Sequence, residues 1–268
     1  MTTIERIMAS LQRYKGAAAT LKTWLTGSAG VDVPDRAHID EMADLVGGVS
    51  VVKSITGAEY LFYNGTRLGN LNELLPLVDA SNGKMDYMFY GAKAFEGADF
   101  REMKTAGITS MNSAFRSSGI KSIDLSQIDT SSVSSASDLF GYCDSLEEIT
   151  NFSFPAMTNN PYSFWPSGSL SDFLQLGGWP LRRLTFAQDL PDGKYAINIH
   201  INIAGCKFDR STMVEMFQGL PESVRKHELT YDMDAVKIKI TSNPCVMDGT
   251  LTDEDRAIAV SKGWTLVE

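Results

Sequence analysis

Cleaving a glycosidic bond takes two carboxyl groups that face one cleft across the sugar linkage. The nearest candidates in this chain are Asp144, Glu147 and Glu148. They fall on a turn and on the strand after it, where acids ordinarily form a solvated edge, so no catalytic pair is assigned. The run DGTLTDED from Asp248 has the acid density of a calcium loop without the D-x-D-x-D-G order, and a helix cap accounts for it better. Cys143, Cys206 and Cys245 lie far apart with no C-x-x-C pair, and His38, His200 and His227 stand at ligand spacing from neither one another nor a cysteine. The expectation is no disulfide framework and no metal, with the thiols reduced and buried. No G-x-S-x-G elbow, H-E-x-x-H, phosphate loop or dinucleotide glycine fingerprint occurs. A chain that is not an enzyme and carries no cofactor is expected. Asn64 and Asn151 open N-x-S/T triplets, which matter only in a eukaryotic secretory pathway.

What remains is recognition by rigid side chains. In FPAMTNNPYSFWPSGSLSDF, Tyr162, Phe164 and Trp165 lie between Pro161 and Pro166. Aromatic groups on a projecting loop suit the binding of sugars and proteins alike. Trp179, with Arg182 and Arg183, would border the same patch. The competing assignment is interior: Phe164 stands 24 residues after Phe140, in the frame of the repeat described next, and Trp165 would then plug the core.

The elements that must carry these residues come from an internal repeat, which decides the architecture. LFYNGTRLGNLNEL from Leu61, MFYGAKAFEGADF from Met88, AFRSSGIKSIDL from Ala114 and LFGYCDSLEEITNF from Leu139 share a phenylalanine, at Phe62, Phe89, Phe115 and Phe140, separated by 27, 26 and 25 residues. Leu68, Phe95, Ile120 and Leu146 follow each one, and three residues later come Leu71, Ala98, Ile123 and Ile149. A degenerate fifth copy supplies Leu181, Leu184 and Phe186, about ten residues late. Ile108, Met111, Ala114 and Phe115 recur at helical spacing, as do Val133, Ala136, Leu139 and Phe140, which predicts a short helix before each phenylalanine. Ile123 and Leu125 alternate as in a strand. One such unit cannot bury both edges alone, whereas stacked units share a core. The expected fold is therefore α/β, an irregular solenoid of about five units over residues 51–204.

A helical N-terminal region over 1–50 and a strand-helix-strand cap over 205–268 complete the expectation. Ile4, Ile7, Met8 and Leu11 predict one helix, Leu21, Trp24 and Leu25 a second, and Ile39, Met42, Ala43 and Val46 a third. These serve either to cap the core or to attach to a partner. Ile197, Ile199, Ile201 and Ile203 alternate as a strand whose other face carries His200, Met213, Met216 and Phe217 form a helical stripe, and Val236, Ile238 and Ile240 form another strand. Thr252 with Asp255 is a capping signature, and Lys262 and Gly263 mark a stop before a last strand.

The repeat line VSSASDLFGYCDSLEEI and the preceding IDLSQIDTSSV resemble the BspA-like leucine-rich repeats of bacterial surface and phage proteins, matching at Val133, Ala136, Leu139, Phe140, Cys143, Leu146 and Ile149. Arg67, Lys121 and the loose third and fifth copies depart from that pattern. The ending LTDEDRAIAVSKGWTL is similar to the L-T-x-E-x-x-A-I-A-x-x-K-G-W-T-L close of phage and prophage tail proteins of this type, with the acids shifted by one residue. LKTWLTGSAGVDVPDRAHIDEMADLVGGV is similar, more weakly, to helical segments early in tail-fibre and baseplate proteins.

The resemblance implies a bacteriophage virion structural protein of the tail, fibre or baseplate. Its implied partners are other virion proteins, a host surface glycan or protein receptor, and further copies of itself. The alternatives are a bacterial cell-surface adhesin of the same repeat family, a polysaccharide-degrading tailspike, and a purely architectural subunit. Composition bears on the partners. A net charge of −9 and a pI of about 4.9 oppose a phosphate backbone, so no nucleic acid is expected. No run of eighteen apolar residues occurs, and Glu5, Arg6 and Arg13 interrupt any signal peptide, so the chain is expected to be made in a cytosol and to insert in no membrane.

Overall fold

A computed structural model of the chain describes residues 55–65, 71, 75–156, 173–175, 180–187, 200–221 and 237–268. The expected N-terminal helices and the aromatic loop lie outside the described residues. Among the described residues every strand pairing is parallel. Strands β1 (Ile55–Thr56) and β2 (Val78–Asp79) pair with each other. A second sheet runs β3 (Ser122–Asp124), β4 (Glu148–Phe152), β6 (Arg183–Phe186). A third sheet runs β5 (Phe173–Gln175), β7 (His200–Asn202), β8 (Lys237–Lys239), β9 (Thr265–Val267), and so passes across position 204 to the final strand. Register follows the sequence frame: Ile123 sits opposite Ile149, and Ile149 opposite Leu184. All three side chains are buried.

The phenylalanines lie one on the next. The Phe62 and Phe89 rings are 5.0 Å apart at 20°, Phe89 and Phe115 5.5 Å at 5°, and Phe115 and Phe140 5.6 Å at 15°. Phe95 and Phe100 pack on the same column, Phe100 edge-on to Phe89 and Phe115. Such pairs contribute roughly 0.5–1.5 kcal/mol each beyond the area they bury. Leu61, Met88, Ala114 and Leu139 flank the column and are also buried.

The segments that carry these rings are not the helices that the apolar spacing predicts. They are successive tight turns. An α-helix spends its N–H groups on its own carbonyls four residues back. Here alternate N–H groups are given to the next repeat: Tyr60 N donates to Asp86 O at 3.0 Å, Phe62 N to Met88 O at 2.8 Å and Asn64 N to Tyr90 O at 2.7 Å. The intervening Leu61, Tyr63 and Gly65 donate three residues back, to Ala58, Tyr60 and Phe62. The same weave joins Met111, Ser113, Phe115 and Ser117 to Ser135, Ser137, Leu139 and Gly141.

Its geometry requires left-handed backbone two residues before and two after each phenylalanine. The φ values are 58, 56, 52 and 55° at Tyr60, Tyr87, Ser113 and Asp138, and 54, 68, 56 and 57° at Asn64, Gly91, Ser117 and Tyr142. Spacing of three and four apolar residues arises from this weave as readily as from a helix. Side chains reinforce it, since Asp86 Oδ1 accepts from Ser110 Oγ (2.6 Å) and Asn112 N (2.7 Å), and Asn112 Oδ1 accepts from Ser135 Oγ and Ser137 N, both at 2.8 Å.

Three α-helices are described beyond the fourth phenylalanine. Helix α1 (Arg210–Gly219) is capped by Asp209, whose carboxylate accepts from Thr212 N, and buries Met213, Met216 and Phe217. The short α2 (Pro244–Met247) opens on proline, and α3 (Asp253–Ser261) carries a complete capping box of Thr252 and Asp255. Lys262 Nζ donates to Gln218 O at 2.5 Å and Leu220 O at 2.7 Å, closing the C-terminal end of α1, and the buried Trp264 donates from Nε1 to Pro221 O at 2.8 Å. The Lys-Gly-Trp ending is thus a clasp on α1. Asn243 is wholly buried and donates to Ile203 O and Ile240 O at 2.8 Å each, joining adjacent repeats of the third sheet. Among the described residues no helix is long and apolar enough to cross a membrane.

Phe115→Ala is expected to lower stability by about 3–5 kcal/mol as a buried large-to-small change. Gly119→Ala should destabilise as well, because its Cβ would stand 2.2 Å from the backbone oxygen of Lys93. Urea melts of both variants check this, and a midpoint equal to the wild type's would contradict the packing described.

Candidate binding surface

The aromatic residues expected to bind, Tyr162, Phe164, Trp165 and Trp179, all lie outside the described residues. The acidic candidates are placed. Asp144 is exposed on a turn, Glu147 is half-buried just before β4, and Glu148 opens that strand. Arginines meet the two glutamates: Arg182, just before β6, lies 2.7 Å from Glu147 and 3.8 Å from Glu148, and Arg183, which opens β6, reaches Glu148 at 3.9 Å and Glu215 of α1 at 2.7 Å. Hydrogen bonding from Arg183 holds the Glu215 carboxyl below the usual range. These acids are rungs of an ion-pair ladder along the sheet rather than two carboxyls facing a cleft.

The acid-rich run near the C-terminus is likewise spent on structure. Asp248 accepts from Thr250 N and Oγ1 at 3.0 and 2.7 Å. Asp255 caps α3 and accepts from Arg210 Nε at 2.7 Å and Nη2 at 3.0 Å. The Arg210 guanidinium, then the Thr252 backbone N–H, hold its carboxyl down at about 2. All three cysteines are buried. Desolvation pushes the Cys143 thiol up to about 11 and the Cys206 thiol up to about 12, and raises Cys245. A depression of about 510 Å³ beside β9 is lined by Arg256, Val260, Trp264, Leu266 and Glu268, but Arg256 and Glu268 bond to each other at 2.6 Å.

A surface that the sequence reading passed over lies on the turn segments. Tyr60 stacks on Tyr87 (4.7 Å, 9°) and Tyr63 on Tyr90 (5.0 Å, 13°), with tilted contacts between the two columns at 5.6 and 5.8 Å. In the next repeat Arg116 takes the place of Tyr63 and Tyr90. Its guanidinium lies 6.0 Å from the Tyr90 ring and 4.7 Å from the Tyr142 ring, while it pairs with Asp138. The result is one strip, Tyr60, Tyr63, Tyr87, Tyr90, Arg116 and Tyr142, across four repeats. Tyr60 is 41% and Tyr142 58% exposed, among the few large apolar side chains left in water.

A signal for this strip was present in the sequence. The tetrapeptides YLFY from Tyr60 and YMFY from Tyr87 repeat the outward tyrosines together with the inward phenylalanine. Of these, the phenylalanine alone follows the buried spacing that marks a core.

A family model described as "Mycoplasma protein of unknown function, DUF285" matches residues 56–175. The chain is similar to that family over this stretch, which runs from the end of β1 to the end of β5 and includes the whole tyrosine strip. No curated protein and no solved structure matches the chain.

Two measurements check the electrostatics. Folded protein should react with a thiol reagent far more slowly than urea-unfolded protein, which should titrate all three cysteines; fast labelling of the folded state would contradict their burial. For Asp255, whose ordinary value is 3.8 and whose folded value is about 2, the stabilisation is full above about pH 5 and lost as pH falls toward 2. The melting temperature should therefore fall on that acid limb, and Asp255→Asn should lower it at pH 7 while flattening the limb.

Proposed function

We propose that this chain is a leucine-rich-repeat solenoid of about five units that binds rather than catalyses, acting as a tail, fibre or baseplate protein of a bacteriophage virion that mediates host-surface attachment or contact between virion proteins. The observation that carries the architectural part is the in-register column of Phe62, Phe89, Phe115 and Phe140. A rigid stack of this kind offers an extended surface made of equivalent positions from neighbouring repeats, the usual binding mode of repeat proteins. The virion context rests on the resemblance of the repeat line and of the Lys-Gly-Trp ending to phage tail proteins, and the virion surface is the location proposed. The pairing of Glu147 and Glu148 with arginines supports binding over cleavage. No cofactor, metal or nucleic acid enters this reading.

The description of the matching family names Mycoplasma, which favours a second reading, a bacterial cell-surface adhesin. Antibody labelling separates the two. Gold label on intact particles, together with blocking of adsorption by the free protein, is the result expected of a receptor-contact virion protein. Label on particles without blocking would leave an architectural subunit, and label on producing cells but not on particles would replace the proposal with the adhesin.

A further inference from the structure

The tyrosine strip is more than decoration, because the backbone does not call for tyrosine there. At the position two before the phenylalanine, Tyr60 and Tyr87 adopt φ of 58 and 56°, and Ser113 and Asp138 do the same work at 52 and 55°. Two residues after the phenylalanine, Asn64, Gly91 and Ser117 hold the position that Tyr142 holds at 57°. Glycine, asparagine and aspartate enter the left-handed region readily, while a bulky side chain there is an outlier that raises the energy of the fold. Three tyrosines thus occupy sites where other repeats use residues better suited to the backbone. Tyr63 and Tyr90 complete the array, and Arg116 shows that their position does not demand an aromatic ring.

Polar groups are left over as well. Among the described residues, none of the five phenol hydroxyls makes a hydrogen bond. Each is a donor and an acceptor at once. Phenols carry no charge at neutral pH, and Arg116, the cation of the strip, is matched by Asp138. Tyr60, Tyr63, Tyr87 and Tyr90 cost little entropy to fix, since they are already held by stacking. The rungs are spaced 4.7 and 5.0 Å apart, close to the length of one sugar unit in an extended glycan, so successive repeats would meet successive sugars.

From this geometry we infer that the strip formed by Tyr60, Tyr63, Tyr87, Tyr90, Arg116 and Tyr142 is a binding site for a neutral, extended polysaccharide laid across the repeats. Hydroxyl-bearing ring edges contact the sugar hydroxyls, and Tyr142, the most exposed ring, offers a surface for the sugar's C–H face. A polyanionic chain is disfavoured by the protein's net charge of −9 and by the neutralisation of Arg116. The inference rests on the reading of the chain as a binding protein but not on its place in a virion, which particle labelling tests separately.

Calorimetric titration of the full chain with cellohexaose, maltohexaose and a hyaluronan hexasaccharide tests it, beside the double variant Tyr60→Ser, Tyr142→Asn. Those replacements are the residues of sister repeats at the same positions, so the variant should keep the backbone conformation and a cooperative melt. Saturable binding of at least one neutral oligosaccharide, weakened tenfold or more in the variant, is the expected result. No binding of either neutral sugar, tighter binding of hyaluronan, or binding unchanged in the variant would each overturn the inference. Should the double variant unfold, Tyr142→Asn alone is compared, and a wild-type affinity there would overturn it equally.

Discussion

Sharing of alternate backbone N–H groups between neighbouring repeats is the constraint on which the rest of this structure depends. Each turn segment keeps half of its hydrogen bonds and gives the other half to the next segment, and a bond of this kind contributes about 0.5–1.5 kcal/mol net. The exchange fixes the stacking distance, and that distance lets Phe62, Phe89, Phe115 and Phe140 lie face to face. It also dictates left-handed backbone at two positions per repeat, and those positions turn Tyr60, Tyr87 and Tyr142 outward. Core and surface are two consequences of one hydrogen-bond pattern.

Charge obeys the same logic of repetition. Acids and bases at equivalent positions of neighbouring repeats meet, as Glu147 meets Arg182 and Glu96 meets Lys121 at 2.7 Å each. Exposed pairs of this type are worth little individually. Along these positions the charge alternates, Glu96, Lys121, Glu147, Arg182, so no like charges stand opposed.

Much of this was legible in the residues. The phenylalanine frame predicted the stack because one residue type recurs at a nearly constant interval, and Ile123, Ile149 and Leu184 fell into register as their alignment implied. Helices α1 and α3 were legible from their stripes and caps. The turn segments were not, since apolar residues three and four apart satisfy a helix and this weave alike. The discriminating sign was local: Asn64 and Gly91 hold one place in two repeats, a pair that shares tolerance of positive φ and little else. The tyrosine strip was missed because outward residues leave no periodic apolar trace. The expected loop site falls outside the described residues and gains no support from the geometry.

Amide hydrogen exchange, residue by residue, tests the shared hydrogen bonding most directly. The amides of Tyr60, Phe62, Phe89, Phe115 and Ser117 should exchange together and slowly, at a rate set by unfolding of several repeats at once. Rapid and independent exchange at these positions, as in free surface turns, would contradict the account.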